Sequence, residues 1–194
     1  MVQMEIYEGI EIVDLALKYR DTLILGDLQL GYEEHLNKQG VMIPRFQTED
    51  IIKRLDKIID SCEGLRRIVF NGDVKHEFGS ISSQEWDSIT RLVDRLIEKY
   101  EVIMIKGNHD ILLEPVLRKY KDKIKLVDSF SIGDVLIIHG DKIHAAPKKV
   151  IIIGHEHPAV SFGERPDEKF KCFLKGEWKG HVLIAMPSFN MLTV

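Results

Sequence analysis

Cysteine is scarce. Cys62 and Cys172 are the only two in 194 residues and lie far apart in the chain. That excludes a disulfide framework and reads as two free thiols in a reducing, cytoplasmic setting. Long apolar runs are also missing. Those present, such as Val150 to Ile153, are strand-sized against the ~20 residues a membrane helix needs, so no membrane association is expected. The opening MVQMEIYEG lacks the basic stretch and apolar core of a secretory leader. No repeat, low-complexity tract or Gly/Ser-rich linker interrupts the chain, and residues 1–194 read as one domain. There is no excess of basic charge: 27 Lys and Arg stand against 31 Asp and Glu, a net charge of −4. That balance argues against a broad basic face for nucleic acid. What remains is a globular composition, 44% hydrophobic and 30% charged, which excludes fibrous and disordered classes.

Apolar periodicity divides the chain into two halves. Met4 to Tyr7 and Ile10 to Leu17 read as antiparallel edge strands, and Thr22 to Gly26 as a buried strand. A helix is expected after Gln47, with Thr48 as its N-cap and Ile51, Ile52, Leu55, Ile58 and Ile59 as its apolar stripe. The buried strand Arg66 to Phe70 follows, then a helix from Ser83 to about Tyr100, then a strand from Val102 to Ile105 and a short helix from Ile111 to Tyr120. From Lys123 the pattern is mostly β, with strands at 124–127, 130–132, 135–138, 150–153, 170–174 and 181–185, and a Gly133-Asp134 turn. A βαβ-like first half and a β-rich second half predict an α/β fold of two packed sheets flanked by helices.

Chemistry-bearing residues fall at the C-terminal ends of these strands, where open α/β sheets place ligands. They are Asp27 and Gln29, Asp73, the run Asn108-His109-Asp110, His139, and the pair His155 and His157. Glycine precedes most of them, at Gly26, Gly72, Gly107 and Gly154, where backbone must turn sharply or a ligand must approach closely. A His-x-His pair on a strand puts both rings on one face; in the loop beyond the strand they can diverge toward two neighbouring metal ions. Five of the eight histidines lie between positions 109 and 157. With the aspartates and the asparagine they make a mixed nitrogen and oxygen donor set. Such a set suits Mn, Fe, Zn or Ni rather than Ca, which takes oxygen alone.

The ordered segments Asp27-Leu-Gln29, Gly72-Asp73, Gly107-Asn108-His109-Asp110, His139-Gly140 and Gly154-His155-Glu156-His157 resemble the five motifs of the calcineurin-like metallophosphoesterases. The DLQLGYE and GDVKHEF contexts and the closing GHEHP look like the branch of small DNA-ligase-associated phosphoesterases and their archaeal relatives. The resemblance implies a four-layer α/β/β/α sandwich with two mixed sheets and a two-metal centre, Mn the expected ion and Fe, Ni, Zn or Mg the alternatives. Asp27 and His157 would bind the first metal, Asp73 would bridge, and Asn108, His139 and His155 would complete the second. His109 would stand over the substrate phosphate, with Asp110 orienting its ring. Two divalent ions neutralise phosphate oxygens and hold a bridging hydroxide for in-line attack. The implied activity is hydrolysis of phosphodiesters, nucleotide-derived ones such as cyclic nucleotides or nucleic-acid ends. A single-strand nuclease or nuclease subunit working with a DNA-repair partner, and assembly as a homodimer, stay open.

One departure stands out: the family pattern has His where this chain has Gln29. Either the Gln29 carbonyl oxygen binds the first metal, or it leaves that position to water, or the centre works mainly with one metal. Weaker first-site affinity follows from each. His76 and His144 are candidates to line the substrate pocket, against a bland reading as loop or surface histidines. His35 and His181 read as structural or exposed, Glu156 as pointing away from the metals, and Arg45 and Arg165 as solvated charges in preference to phosphate contacts. Trp86 and Trp178 read as core or rim residues in preference to base-stacking ones.

Overall fold

The apolar runs fold into two sheets. The structure, a computed structural model, describes residues 3–44, 46–142, 147–163 and 165–193. The first sheet has seven strands in the order β1 (Gln3–Tyr7), β2 (Ile10–Val13), β3 (Ala16–Tyr19), β4 (Thr22–Gly26), β5 (Arg67–Asn71), β6 (Glu101–Ile105) and β7 (Ile124–Val127). The strands β1 to β4 pair antiparallel and β4 to β7 parallel. Four helices interrupt this series: α1 (Tyr32–Lys38), α2 (Gln47–Asp60), α3 (Ser83–Leu96) and α4 (Leu113–Leu117). The chain then builds β8 (Phe130–Ile132), β9 (Val135–Ile138), β10 (Val150–Ile153), β11 (Ala159–Phe162), β12 (Arg165–Lys171), β13 (Leu174–Trp178) and β14 (His181–Ala185). Five of these form the second sheet, in the order β13-β14-β10-β9-β8, with β14, β10 and β9 parallel. The strands β11 and β12 form a separate hairpin.

Two-residue alternation sorts the buried strands onto two faces. Leu23, Leu25, Ile68, Phe70, Val102 and Met104 face the stripes of α2, α3 and α4. Ile24, Val69, Ile103 and Ile105 face Val135, Ile137, Val150, Ile152 and Ile184 of the second sheet. Truncating any one of the leucines, isoleucines, Met104 or Phe70 among them to alanine costs ~2–5 kcal/mol. The fold is therefore α/β, with two mixed sheets packed face to face and flanked by helices. A smaller cluster, Leu136, Ile138 and Ile151 with Trp178 packed against it, lies on the outer face of the second sheet; no described helix contributes to it.

Several local expectations are corrected. The run Ile10 to Leu17 is two strands, broken where Asp14 takes a left-handed φ of 58°. Thr48 does not cap α2, because its hydroxyl bonds Ser88 Oγ at 2.7 Å. The helix starts two residues earlier than a Thr48 cap implies, with Phe46 as its N-cap, and the Glu33 carboxylate accepts the Gln47 N–H at 2.8 Å. Ser82, not Ser83, caps α3 in a reciprocal capping box with Glu85, and the helix stops at Leu96. The helix α1 and the strand β11 are not expected from the sequence, and the expected strand 170–174 is instead the end of β12 and the first residue of β13. The helix α1 has no apolar stripe, and the four residues of β11 are all exposed.

Candidate metal centre

Parallel pairing brings the strand-end residues together. Gly26, Asn71 and Ile105 are level in β4, β5 and β6, so Asp27, Asp73 and Asn108 leave the first sheet at one edge. Ile138 and Ile153 are level in β9 and β10, so His139 and His155 leave the second sheet side by side. Packing of the two sheets makes these edges meet. The His155 N–H reaches the Asp27 carboxylate at 3.1 and 3.2 Å, and His139 Nε2 lies 3.4 Å from Asp73 Oδ2.

Donor atoms of Asp73, His139 and His155 all lie within 4.8 Å of one another. Asn108 Oδ1 and His155 Nδ1 approach His139 Nε2 at 3.0 and 3.2 Å. Beside this group, His157 Nε2 lies 3.2 Å from Asp27 Oδ1. Asp27, Asp73 and His139 are almost wholly shielded from solvent, and His157 Nε2 is buried without a hydrogen-bond partner. A buried polar atom left unbonded is costly unless something else satisfies it. His139 Nδ1 lies 3.3 Å from the Asn71 carbonyl, which fixes Nε2 as the nitrogen offered to the group. Two adjoining sets of oxygen and nitrogen donors, with His157 Nε2 close to Asp27 Oδ1 yet without a well-formed hydrogen bond, fit divalent transition metals.

Absent side chains make the room. A Cβ on Gly107 would lie 2.1 Å from Asp73 Oδ1, one on Gly154 2.5 Å from Asp27 Oδ2, and one on Gly72 2.1 Å from His139 Nδ1. Each glycine thus clears space for a donor from a different loop, whereas Gly26 meets only ordinary contacts. The backbone is also unusual. Asp27, Gln29, Asp73, His155 and His157 all have φ between 41° and 64°, the left-handed region that non-glycine residues rarely enter. Such conformations cost on the order of 1 kcal/mol or more each and persist where surrounding contacts over-determine them. Here Ser188 Oγ donates to the Asp27 carbonyl at 2.8 Å, Asn190 Nδ2 to the Gln29 carbonyl at 3.2 Å, and the Gln29 N–H to the Asp73 carbonyl at 2.8 Å.

The charges are strongly coupled. Burial opposes the imidazolium of His139, but its hydrogen bond and attraction to Asp73, with Asp27 adding, push it up to about 9. Burial also raises Asp73, yet the His139 interactions and the His109 N–H leave it below the ordinary carboxylate value. In the metal-free protein a proton on His139 therefore occupies the role a cation would take.

His109 stands at the edge of this group. Its Nδ1 donates to the His76 carbonyl at 2.5 Å, and its Nε2 lies 4.0 Å from Asp73 Oδ2. Asp110 does not orient that ring, which corrects the expectation. Its carboxylate accepts the backbone N–H groups of Val74, Lys75 and Gly107, tying the loops after β5 and β6 together. Desolvation raises it to about 6, against those hydrogen bonds. His76 sits beside His109, ring on ring, and burial followed by the charges of His35 and His109 lowers it to about 4. Gln29 is buried beside Asp27. His144 and Arg45 lie outside the described residues. His181 bonds the Lys148 carbonyl, Arg165 pairs with Glu168, and Glu156 is exposed. Sequence reasoning assigned no role to Lys75, Glu85, Ser188 and Asn190, which act by holding backbone.

A family profile described as calcineurin-like phosphoesterase matches residues 21–176. No curated protein matches significantly in sequence. Among solved structures, the chain is similar to the nuclease MPE of Pseudomonas putida, with a TM-score of 0.73 and 20% identity over all of this chain and 88% of that one. A protein of unknown function from Aquifex aeolicus aligns over 70% of this chain and 78% of its own, with a TM-score of 0.44 and 16% identity. At such identities the first likeness speaks to the fold.

Proposed function

Because the chain belongs to the calcineurin-like phosphoesterases and is a metal-dependent phosphoesterase, we propose that it hydrolyses phosphodiesters of nucleotide origin with two divalent ions. One observation carries the reading: two adjoining donor sets, around Asp73 and around Asp27, with the His109 imidazole 4.0 Å from Asp73. Asp27, His157 and Gln29 would hold one ion and Asp73, Asn108, His139 and His155 the other, Mn²⁺ being the expected metal. When bound, such ions neutralise phosphate oxygens and supply a nucleophile at neutral pH. The chain's own residues do the rest. Asp110 and the left-handed turns hold the donors in place. His109 keeps its Nδ1 on the His76 carbonyl, which leaves Nε2 free to bind the phosphate or to protonate the leaving oxygen. Attack at phosphorus breaks the P–O bond to one alcohol, and the departing alkoxide oxygen needs such a proton, leaving a phosphate monoester. Two divalent ions would also bring the net charge from −4 to zero, concentrating positive charge at the phosphate.

The test is a panel of bis-(p-nitrophenyl) phosphate, p-nitrophenyl phosphate, 2′,3′-cyclic nucleotides and single-stranded DNA after EDTA treatment, with Mn²⁺, Fe²⁺, Ni²⁺, Zn²⁺ or Mg²⁺ restored. Diester hydrolysis that disappears with EDTA and returns with Mn²⁺ supports the reading; activity confined to monoesters refutes it. A second reading, a single-strand nuclease assisted by a DNA-repair partner, draws support from the likeness to a solved nuclease along the whole chain. Cleavage of single-stranded DNA in preference to the small diesters would favour it.

A further inference from the structure

The loop that follows Asp73 is held more firmly than its exposed position requires. Lys75 is fully buried, and its ammonium donates to the carbonyls of Glu77 and Ser80, the latter at 2.9 Å. The Glu85 carboxylate accepts the N–H groups of His76 and Glu77 at 3.1 and 2.7 Å. Burying an ammonium is costly unless its hydrogen bonds are made, so these contacts commit the loop to one path. At its tip Phe78 is 60% exposed. A scattered exposed apolar residue needs no explanation. This one stands on an immobilised loop, with its ring 5.5 Å from the His109 ring and perpendicular to it. His109 in turn lies against His76 at 5.8 Å, and His76 meets Tyr32 at 4.5 Å. A contiguous cluster of rings, edge to face at Phe78–His109 and at His76–Tyr32, therefore runs outward from the imidazole that faces Asp73.

Ring faces of this kind hold nucleobases by stacking, whichever base is offered. We propose that Phe78, with the His109 and His76 rings behind it, forms a stacking subsite for one nucleobase adjoining the scissile phosphate. The inference rests on the phosphodiesterase reading and narrows its substrates to diesters that carry a flat aromatic heterocycle on the His109 side. It also accounts for how a chain of net charge −4 engages a nucleotide: affinity comes from a ring face, with the phosphate left to the metal centre.

The experiment compares kcat/KM, with Mn²⁺ present, for thymidylyl-thymidine and for two matched dinucleotides, each with one sugar made abasic. In the wild-type protein, loss of the base at one position lowers kcat/KM roughly 5- to 150-fold, the size of base-on-aromatic stacking. Phe78→Ala shrinks that ratio to about 1, and Phe78→Trp restores it. The ring is mostly exposed, so the alanine variant should fold, and the ratio is internal to each variant. Equal rates on all three substrates in the wild type, or a penalty that survives Phe78→Ala, overturn the subsite alone. No turnover of the three dinucleotides while bis-(p-nitrophenyl) phosphate is hydrolysed also overturns the subsite alone, whereas no turnover of that diester, of 2′,3′-cyclic nucleotides or of the dinucleotides with any divalent metal overturns the phosphodiesterase reading, and the subsite with it.

Discussion

Gly107→Ala isolates how far the centre depends on a missing side chain. Gly107 is outside the left-handed region, so alanine meets no backbone penalty and the effect is steric. The new Cβ would stand 2.1 Å from Asp73 Oδ1 and 2.4 Å from the Asp73 backbone nitrogen. Ordinary contact begins at 3.4 Å, so the oxygen must retreat by about 1.3 Å and the backbone by about 1.0 Å. Rotating the carboxylate relieves only the first clash. The loops after β5 and β6 have to part, against the Asp110 carboxylate that ties them and the 3.0 Å bond from the His109 N–H to Asp73 Oδ1. Overpacking of this kind costs ~1–3 kcal/mol. For a domain of this size that lowers the melting temperature by roughly 2–12 °C.

Metal affinity should suffer more than stability. Ligand distances are defined to ~0.2 Å, far less than the displacement required of Asp73, so Mn²⁺ affinity should fall at least tenfold, ~1.4 kcal/mol. Titration calorimetry with Mn²⁺, alongside thermal unfolding of the metal-free protein, measures both quantities. Gly176→Ala is the control, because a Cβ there meets nothing within 4 Å and should leave the titration unchanged. Wild-type Mn²⁺ affinity in Gly107→Ala would sink the steric argument.

Four further outcomes are expected. His109→Ala should lower kcat about 10²- to 10³-fold while bound metal, counted by elemental analysis, stays near wild type; a protein emptied of metal would make His109 a ligand instead. His139 is raised to about 9, so its proton stabilises the metal-free fold fully below about 6.5 and that contribution fades as pH rises through 9. The same proton must leave before a metal binds, so Mn²⁺ affinity should climb about tenfold per pH unit toward 9, and a flat profile between pH 7 and 8 would contradict it. Asp110 is raised to about 6, so the native state holds its proton more tightly and its contribution to metal-free stability falls between about pH 4 and 6. Asp110→Asn should cost ~1–3 kcal/mol in denaturant unfolding and flatten that slope. Gln29→His should tighten Mn²⁺ binding and raise activity at limiting metal, and no change in either would mean that position 29 does not face the first ion.

The donors were legible because their chemistry and their position coincide. A buried strand announces itself as a continuous apolar run, and in a parallel sheet its C-terminal end is where a polar residue has a task. Hence Asp27, Asp73, Asn108, His139 and the His155–His157 pair could be read from the sequence as a mixed donor set at strand ends, and the resemblance to the metallophosphoesterase motifs joined them into one centre. The backbone that aims them was not legible. Five left-handed turns at Asp27, Gln29, Asp73, His155 and His157 leave no compositional trace, since aspartate, glutamine and histidine adopt ordinary turns elsewhere. Glycines were visible as glycines, yet only the structure separates Gly72, Gly107 and Gly154, whose missing side chains admit a donor, from Gly26, which admits none.

Asp110 shows why a motif does not disclose a role. It follows His109 directly, and adjacency suggested a partner for the ring. But neighbouring side chains in a turn point apart, and a nearly fully buried carboxylate is satisfied by whichever donors surround it. Here those are three backbone N–H groups from two loops, and the ring takes the His76 carbonyl instead. The same logic runs through the C-terminal segment. Ser188 and Asn190 hold Asp27 and Gln29 through contacts that span 161 positions. Lys171 donates to the carbonyls of both residues, at 2.7 Å for Ser188. Burial and the charge of Arg54 lower that lysine to about 8, against the pull of Asp27. A donor set can be inherited as short motifs, but the strained geometry that makes it a centre is enforced by residues far away in the chain, whose identities are common and whose function lies only in what they touch.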